Sequence, residues 1–538
     1  MNLFDAIFSR DHQTPAIIYQ GREISYAELR TATLEMAAVL ASVGARRKDR
    51  VALLLNDSPE FVQAFIASCS IGVIAVPINP ALRLEDQRAI IDNCRASVLI
   101  VETEFVEALL THAPKNMHFP KELIQVDRTI EHRSDDQCGQ DFFVTEMIRR
   151  QPPVRINTLR YLKEKTGSFE HPVFPTENSD ETTFILYTSG STGEPKGAMH
   201  SQADIFYTNN TFCREVLQLT KSDRLFSSSR LPFAYGLGNA LTFPLLNGAT
   251  SVLCREKPTA EIISRVFRDV RPTIFFAVPV VYNLLLEYHR NKQPLDCASL
   301  RMCVSAGEAL PAHLGEQWQQ TFGVPVLDGI GSTEMLHMFM SNHLNDVCYG
   351  SSGKLLKGYE ARLLDEHGQP SPHGSEGNLW IKGDSSASGY WERPEETART
   401  FVDGWVRTGD LYRCDEEDHW FHMGRSDDCF KSSGQWVSPI EVEGVLLKHA
   451  RVARVAVVED FDERHLPCPC AFVVTEGSET HNSSVETALR ELVANSLPRF
   501  KQPRRYVFLS ELPYTATGKI QRFKLRQELR NKERSATS

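Results

Sequence analysis

A chain of 538 residues with a hydrophobic fraction of 41% is too long for one compact core, so two or more domains are expected. Its 59 Lys and Arg against 69 Asp and Glu leave a formal charge of -10 with no basic run, which argues against a nucleic-acid partner. The longest apolar region, Phe65 to Ile78, is broken by Ser68, Ser70 and Pro77 and falls short of the roughly 20 residues that cross a bilayer, so no membrane role is expected.

Met1 to Gln13 carries Asp5, Arg10, Asp11 and His12 instead of a signal-peptide apolar stretch, so the mature chain is expected to begin near Met1. Ser25 opens a helix with Glu28 three residues later, the pattern of a capping box. Arg50 to Leu55 reads as a buried strand, Phe61 to Ile71 as a helix and Gly72 to Ile78 as a second strand. This alternation predicts doubly wound α/β layers. Residues 115 to 180, rich in charge and proline, are the least patterned and are expected to include a surface insertion.

Next, Phe184-Ile185-Leu186 leads into Tyr187-Thr-Ser-Gly-Ser-Thr-Gly-Glu-Pro-Lys-Gly197, a hydroxyl- and glycine-rich loop with one lysine. Glycines let backbone N–H groups converge, hydroxyls add donors and Lys196 adds a mobile charge, so the loop suits phosphates. It does not fit the NTPase phosphate loop. Pro195 stands where the second glycine belongs, and Gly197 follows the lysine where a hydroxyl is required. A plain Ser/Gly linker is the other reading of such a loop, and the preceding strand-like run weighs against it.

Strand candidates continue at Arg271 to Val278, Arg301 to Ser305 and Val324 to Asp328. From Gly353 to Thr408 short alternating runs, among them Ala361 to Asp365 and Gly377 to Gly383, predict antiparallel β-structure. Ile440 to Lys448 reads as an amphipathic helix. A change of composition past Gly424 sets the expected domains: 1–426, α/β layers plus a β-rich subdomain, and 427–538, a small mobile α+β domain. Twelve scattered cysteines, of which only Cys468 and Cys470 are close, read as core packing in a reducing cytoplasm.

Four further clusters carry candidate chemistry. In Asp328-Gly-Ile-Gly-Ser-Thr-Glu334 the acid occupies the third-glycine position of a dinucleotide fingerprint, so Glu334 suits Mg²⁺ beside phosphates, with Thr333 donating to a phosphate oxygen. In Arg407-Thr-Gly-Asp410 the acid can accept from both ribose hydroxyls, although a turn aspartate reads the same way. Gly424 to Gly434 falls at the compositional change, and Tyr514 to Arg522 places Lys519 on a glycine turn.

Taken in order, the five clusters resemble the adenylate-forming superfamily of acyl-CoA synthetases, carrier-protein adenylation domains and luciferases. Phe233 to Asn239, Ser305 to Pro311, Gly329 to His337 and Trp436 to Glu443 resemble its benzoate-CoA and aryl-CoA ligase branch. The resemblance implies ATP, Mg²⁺ and CoA, a small aromatic acid as substrate, and activation through an aryl-AMP intermediate. An acyl carrier protein is the alternative acceptor, and a binding protein of the same fold is the rival from another class.

By the same resemblance Thr188, Ser189, Gly190, Ser191, Thr192, Gly193 and Lys196 hold the β- and γ-phosphates, Thr333 contacts the α-phosphate and Glu334 binds Mg²⁺. Gly307, Glu308, Ala309, Asp328, Gly329 and Ile330 line adenine, and Asp410 and Arg425 hold the ribose. Lys519 acts in adenylation, Asp427 is the hinge, and Gly434 and Trp436 face the CoA tunnel. Phe233, Ala234, Tyr235, Phe243, Gly331 and His337 line the aromatic acid. Phe233 to Asn239 contains no acid to pair an α-amine, which disfavours amino-acid substrates. Tyr514 departs from the arginine common in similar enzymes, and the stretch around 130 to 180 is longer than usual.

Overall fold

The structure, a computed structural model, describes residues 2–9, 14–111, 114, 117–127, 154–166, 181–189, 195–291, 294–433, 435–462, 464, 466–475, 483–514 and 520–536. Two compact units emerge from its contacts. The first comprises Met1–Tyr349, Leu355–Glu360 and Lys382–Val406; the second comprises Gly350–Lys354, Ala361–Ile381 and Arg407–Ser538.

The first unit holds two largely parallel sheets. One runs in the order Arg155–Thr158, Glu122–Val126, Val98–Glu102, Arg50–Leu54, Ile74–Pro77, Thr182–Ser189 and Pro195–Ser201, parallel except for the final pair, which is an antiparallel hairpin. The expected strands at 50–55 and 72–78 are therefore present, and the capping box at Ser25 opens the helix Tyr26–Ser42. The second sheet places Val326–Gly331, Met302–Ser305, Ile274–Ala277, Arg224–Ser227, Thr250–Leu253 and Pro15–Tyr19 side by side in parallel.

Strand burial explains the layering. Val51 and Leu53 join a core shared with Ala16, Ile17 and Leu253 of the other sheet, whereas Ala52 and Leu54 pack on the opposite face with Ile90 and Ile91 of the helix Leu84–Cys94. Both faces of the parallel strands are covered, so the sequence shows continuous apolar runs instead of alternation. Each fully buried Val, Leu or Ile side chain contributes about 1.5–3 kcal/mol, which makes these strands the rigid support of everything at their ends. Glu102, at a strand end of one sheet, accepts from Asn56 and from Arg255, which follows a strand of the other, at 2.8–3.3 Å.

Part of the segment 115–180, the least patterned in the sequence, is regular structure. Glu122–Val126 and Arg155–Thr158 are strands of the first sheet, and Leu159–Thr166 is a helix packed on it. Arg155–Thr158 is an edge strand with an exposed, polar sequence, which is why no apolar period marks it. Residues 128–153 and 167–180, where the expected insertion falls, lie outside the described residues.

In the second unit the strand Trp405–Cys414, which begins in the first unit, pairs antiparallel with Trp420–Arg425. Toward the C-terminus, Val452–Phe461, Pro467–Thr475 and Arg505–Phe508 form a three-stranded sheet covered by the helices Pro439–Leu446 and Ser483–Ser496. The expected helix at 440–448 is thus present, capped by the Ser438 hydroxyl. The fold is the expected one: a large α/β N-terminal portion with several sheets and a small C-terminal α+β portion. Among the described residues no helix is long and apolar enough to cross a membrane.

Candidate active site

The hydroxyl-rich loop is the tip of the hairpin between Thr182–Ser189 and Pro195–Ser201, in which Thr188 faces Lys196 and Ser189 faces Pro195. This explains why the NTPase spacing fails: that loop enters a helix, whereas this one returns as a strand. Gly190, Ser191, Thr192 and Gly193 lie outside the described residues. Gly197 is required by packing, since a Cβ there would stand 2.6 Å from Ile185 Cγ2 and 2.9 Å from the Tyr187 ring.

The segment Ala387 to Trp391 lies along the hairpin. Ser388 N–H donates to Met199 O, Met199 N–H to Gly389 O, and Trp391 N–H to Gly197 O, at 2.8–3.0 Å. Tyr390 is thereby placed beside Lys196, whose Nζ lies 5.7 Å from the centre of its ring. The Tyr390 hydroxyl donates to Glu334 Oε1 at 2.7 Å. One buried tyrosine thus connects the loop lysine with the candidate metal-binding acid.

Thr333 and Glu334 occupy a short loop between the strands Val326–Gly331 and Met338–Ser341. Its carbonyls are held one by one from outside. Thr333 O accepts from His200 Nε2 at 2.7 Å, Glu334 O from Ala387 N–H at 2.7 Å, and Met335 O from Ser385 Oγ at 2.9 Å. Leu336 adopts φ 63°, a left-handed conformation uncommon for a branched residue, which these anchors hold in place.

The remaining candidates of the first unit follow or end parallel strands of the second sheet, at the carboxyl ends where ligands usually sit in open α/β sheets. Phe233, Ala234 and Tyr235 follow Arg224–Ser227, and Gly307, Glu308 and Ala309 follow Met302–Ser305. Asp328, Gly329 and Ile330 end the next strand, with Ser305 and Asp328 in register. Asp328 Oδ2 accepts the Leu310 N–H at 3.2 Å, and burial pushes its carboxyl up to about 8.

An aromatic cluster surrounds His337. Its ring centroid is 4.9 Å from Phe212, 4.7 Å from Phe243 and 5.7 Å from Tyr235. Burial holds the imidazole down at about 3, so it is neutral, and Nε2 is 3.2 Å from Asn239 Oδ1. Phe212 and Asn239 both lie on π-helical stretches, Asn209–Leu217 and Gly238–Thr242. Such stretches add a residue to a helical turn and recur at functional sites. Gly331 owes its identity to backbone packing: a Cβ would stand 2.4 Å from the His337 carbonyl oxygen. From the sequence alone Gly331 shows only the small size that an aryl ring beside it would need.

In the second unit Asp410 and Arg425 are cross-strand partners, with Nη1 3.2 Å from Oδ1. Arg425 also donates to Thr408 O at 2.9 Å, and His422 Nε2 is 3.4 Å from the same Asp410 oxygen. Asp427 lies in the turn that follows, exposed, with Oδ1 3.5 Å from Arg425 Nε. Lys519 and Gly434 lie outside the described residues, as does the Trp436 side chain; Tyr514 and Ile520, on either side of 515–519, form an antiparallel bridge.

A family model for AMP-binding enzymes matches residues 4–391, and the model for the C-terminal domain of AMP-binding enzymes matches residues 441–519. The chain belongs to the AMP-binding enzyme family. Its similarity to a benzoate–CoA ligase of Thauera aromatica is 40% identity over 91% of this chain and 88% of that protein. Among solved structures of AMP-binding enzymes, an anthranilate CoA ligase in complex with anthranoyl-AMP superposes with a TM-score of 0.88 at 32% identity, covering 99% of this chain and 98% of that one. A benzoate CoA ligase from Burkholderia xenovorans LB400 gives 0.84 at 33% identity, covering 98% and 100%.

Four residues at the site went unnoticed in the sequence. Tyr390 stands in a Gly-Tyr-Trp run that marks an aromatic turn, but nothing local ties it to Glu334. His200, Phe212 and His422 carry no motif at all, because the first two meet Thr333 and His337, far along the chain, and His422 meets Asp410 on a neighbouring strand.

Proposed function

We propose that this protein is an AMP-forming aryl-CoA ligase that acts on benzoate or a small hydroxy- or amino-substituted benzoate. The observation that carries the reading is the loop from Thr333 to His337, whose start is tied to the Lys196 hairpin through Glu334 and Tyr390 and whose end lies in a ring of aromatic side chains. One short loop thereby presents a polar, phosphate-suited end and an aromatic end. An enzyme joining an aryl carboxylate to a nucleotide needs both. Similarity to ligases of benzoate and anthranilate supports the ring size.

A free carboxylate is a poor acyl donor, since oxide would have to leave. Its oxygen therefore attacks the α-phosphorus of ATP, the bond to pyrophosphate breaks, and an aryl-AMP forms. The thiolate of CoA then adds to the carbonyl carbon, and AMP departs with the electron pair. Negative charge moves between oxygens in the first step and from sulfur to oxygen in the second, so positioning and electrostatics supply the catalysis.

The residues divide this work. Thr188, Ser189, Gly190, Ser191, Thr192, Gly193 and Lys196 hold the β- and γ-phosphates, and Thr333 donates to the α-phosphate. Gly307 to Ala309 and Asp328 to Ile330 border the adenine, while Asp410 and Arg425 hold the ribose. Lys519 meets the carboxylate and α-phosphate during adenylation. Asp427 is the hinge about which the C-terminal domain turns, after which Gly434 and Trp436 border the pantetheine path.

Glu334 is a single carboxylate beside Tyr390, and among the described residues no group of three or more His, Cys, Asp or Glu could hold a metal. That donor set fits Mg²⁺ delivered with the phosphates and unsuited to an all-protein cage. When bound, the ion neutralises phosphate charge.

The test is incubation with ATP and benzoate, hydroxybenzoates or aminobenzoates, followed by CoA or a holo-carrier protein. Aryl-CoA with stoichiometric AMP and pyrophosphate is expected. Loading of the carrier without aryl-CoA makes the protein a carrier-loading enzyme, and the absence of aryl-acid-dependent pyrophosphate release overturns the reading.

A further inference from the structure

The geometry points to His200 as a positioning residue for adenylation: clamped by Asp204, it fixes the Thr333 carbonyl and so aims the Thr333 hydroxyl and the Glu334 carboxylate. The inference rests on the ligase reading and adds to it a residue outside every motif.

His200 is 1% exposed and lies on the strand Pro195–Ser201, four residues beyond Lys196. Nδ1 is 2.7 Å from Asp204 Oδ2 and Nε2 is 2.7 Å from Thr333 O. Both partners are oxygen acceptors, so a hydrogen lies on each side of the ring: one shared with the carboxylate, one on Nε2 donated to Thr333. Asp204 is fixed in turn. Its Oδ1 accepts from Ser201 Oγ at 2.6 Å and its Oδ2 from Ser201 N–H at 3.2 Å, within the capping box of the helix Gln202–Thr208. The flat face of His200 stacks on Phe184 of the adjacent strand, centroids 5.3 Å apart and 18° between planes.

The imidazole therefore has little rotational freedom. Its one link outward is to the loop that carries Thr333 and Glu334. The other donor to the Thr333 carbonyl, the Leu336 N–H at 3.2 Å, belongs to the loop's own turn and moves with it. Among the described residues only His200 ties that peptide plane to the hairpin strand bearing Lys196. Rotation of the Thr333–Glu334 peptide would re-aim both side chains, and misplacement by about 1 Å costs on the order of 100-fold in rate.

The two half-reactions separate this role from ordinary packing. Aryl-acid-dependent exchange of pyrophosphate into ATP reports adenylation, and thioester formation from supplied benzoyl-adenylate and CoA reports the second step. In His200→Leu, adenylation kcat is expected to fall tenfold or more, while KM for benzoate and thioester formation stay within about twofold. Phe61→Leu, in the same hydrophobic core but not among the partners of His200, is expected to lower Tm and change both half-reactions little. Where His200→Leu does not fold, two amides carry the same test: His200→Gln reaches the Nε2 position and retains adenylation, and His200→Asn reaches only the Nδ1 position and loses it. Unchanged adenylation in His200→Leu, parallel loss of both half-reactions, or equal activity of the Gln and Asn variants overturns the proposal. The wild type measured first keeps the two readings apart: without exchange there, the ligase reading falls and takes this one with it, whereas exchange in the wild type and in His200→Leu alike removes this one alone.

Discussion

Tyr390 donates its hydroxyl to Glu334 at 2.7 Å while its ring lies under Lys196, 5.7 Å from the ammonium. Tyr390 thus engages the acid by a hydrogen bond and the cation by its π-face, and the two are not ion-paired with each other. Both charges thereby remain available to a phosphorylated ligand.

Tyr390→Phe keeps the ring and removes the donor. A hydrogen bond to a charged group is worth about 1.5–3 kcal/mol, so kcat/KM for ATP is expected to fall about tenfold or more, with half-activation shifted to higher Mg²⁺. Pyrophosphate release at several Mg²⁺ concentrations checks this. An unaltered Mg²⁺ dependence would separate Tyr390 from the acid's function.

The sequence was most legible where one local pattern decides the outcome. The capping box at Ser25 and the buried strands near 50 and 74 are of this kind, and so is the strand-like run Phe184 to Leu186 that leads into the Lys196 loop. Edge strands such as Arg155–Thr158 were not, since a polar strand is recognised only through its neighbour. The same divide runs through the site. Glu334 and Asp410 sit in motifs, but His200 acts through Thr333, 133 residues distant, and no local signal encodes that contact.

Two buried groups make stability depend on pH in opposite senses. The Asp328 carboxyl sits at about 8 in the fold against 3.8, so between those values the folded state holds a proton that the unfolded chain releases, and stability falls as pH rises. His337, at about 3 against 6.5, binds its proton only when unfolded, so its contribution is lost as pH falls below 6.5. Asp328→Asn is expected to gain on the wild type progressively from pH 5 to pH 8 in urea titrations. A difference independent of pH would remove Asp328 as the source.

Asp410→Asn should weaken nucleotide binding more than folding. The aspartate meets Arg425 at 3.2 Å and His422 at 3.4 Å on a paired strand, so the amide leaves the scaffold in place but loses the charge that a ribose diol would recognise. KM for ATP is expected to rise roughly tenfold or more, with KM for benzoate little changed. Steady-state kinetics with each substrate varied in turn would show it, and an equal rise in both KM values would argue for a general distortion.

Gly331→Ala forces a Cβ to within 2.4 Å of the His337 carbonyl, where only backbone can yield. Overpacking of this kind costs about 1–3 kcal/mol. A lower Tm is expected together with a raised KM for the aryl acid, because the displaced backbone carries His337 into the aromatic cluster. If Tm falls while KM for benzoate holds, the glycine serves folding alone.

On the proposed ligase reading, Lys519 is expected to divide the half-reactions most sharply. Adenylation gathers negative charge where carboxylate and α-phosphate meet, and a flexible ammonium is suited to that point. Thioester formation needs no cation there, since AMP leaves as a stabilised phosphate. Lys519→Ala is expected to reduce benzoate-dependent pyrophosphate exchange by a hundredfold or more and to leave conversion of supplied benzoyl-adenylate to benzoyl-CoA within a few fold. Comparable loss in both assays would place the lysine in folding or in CoA binding and withdraw it from the first step.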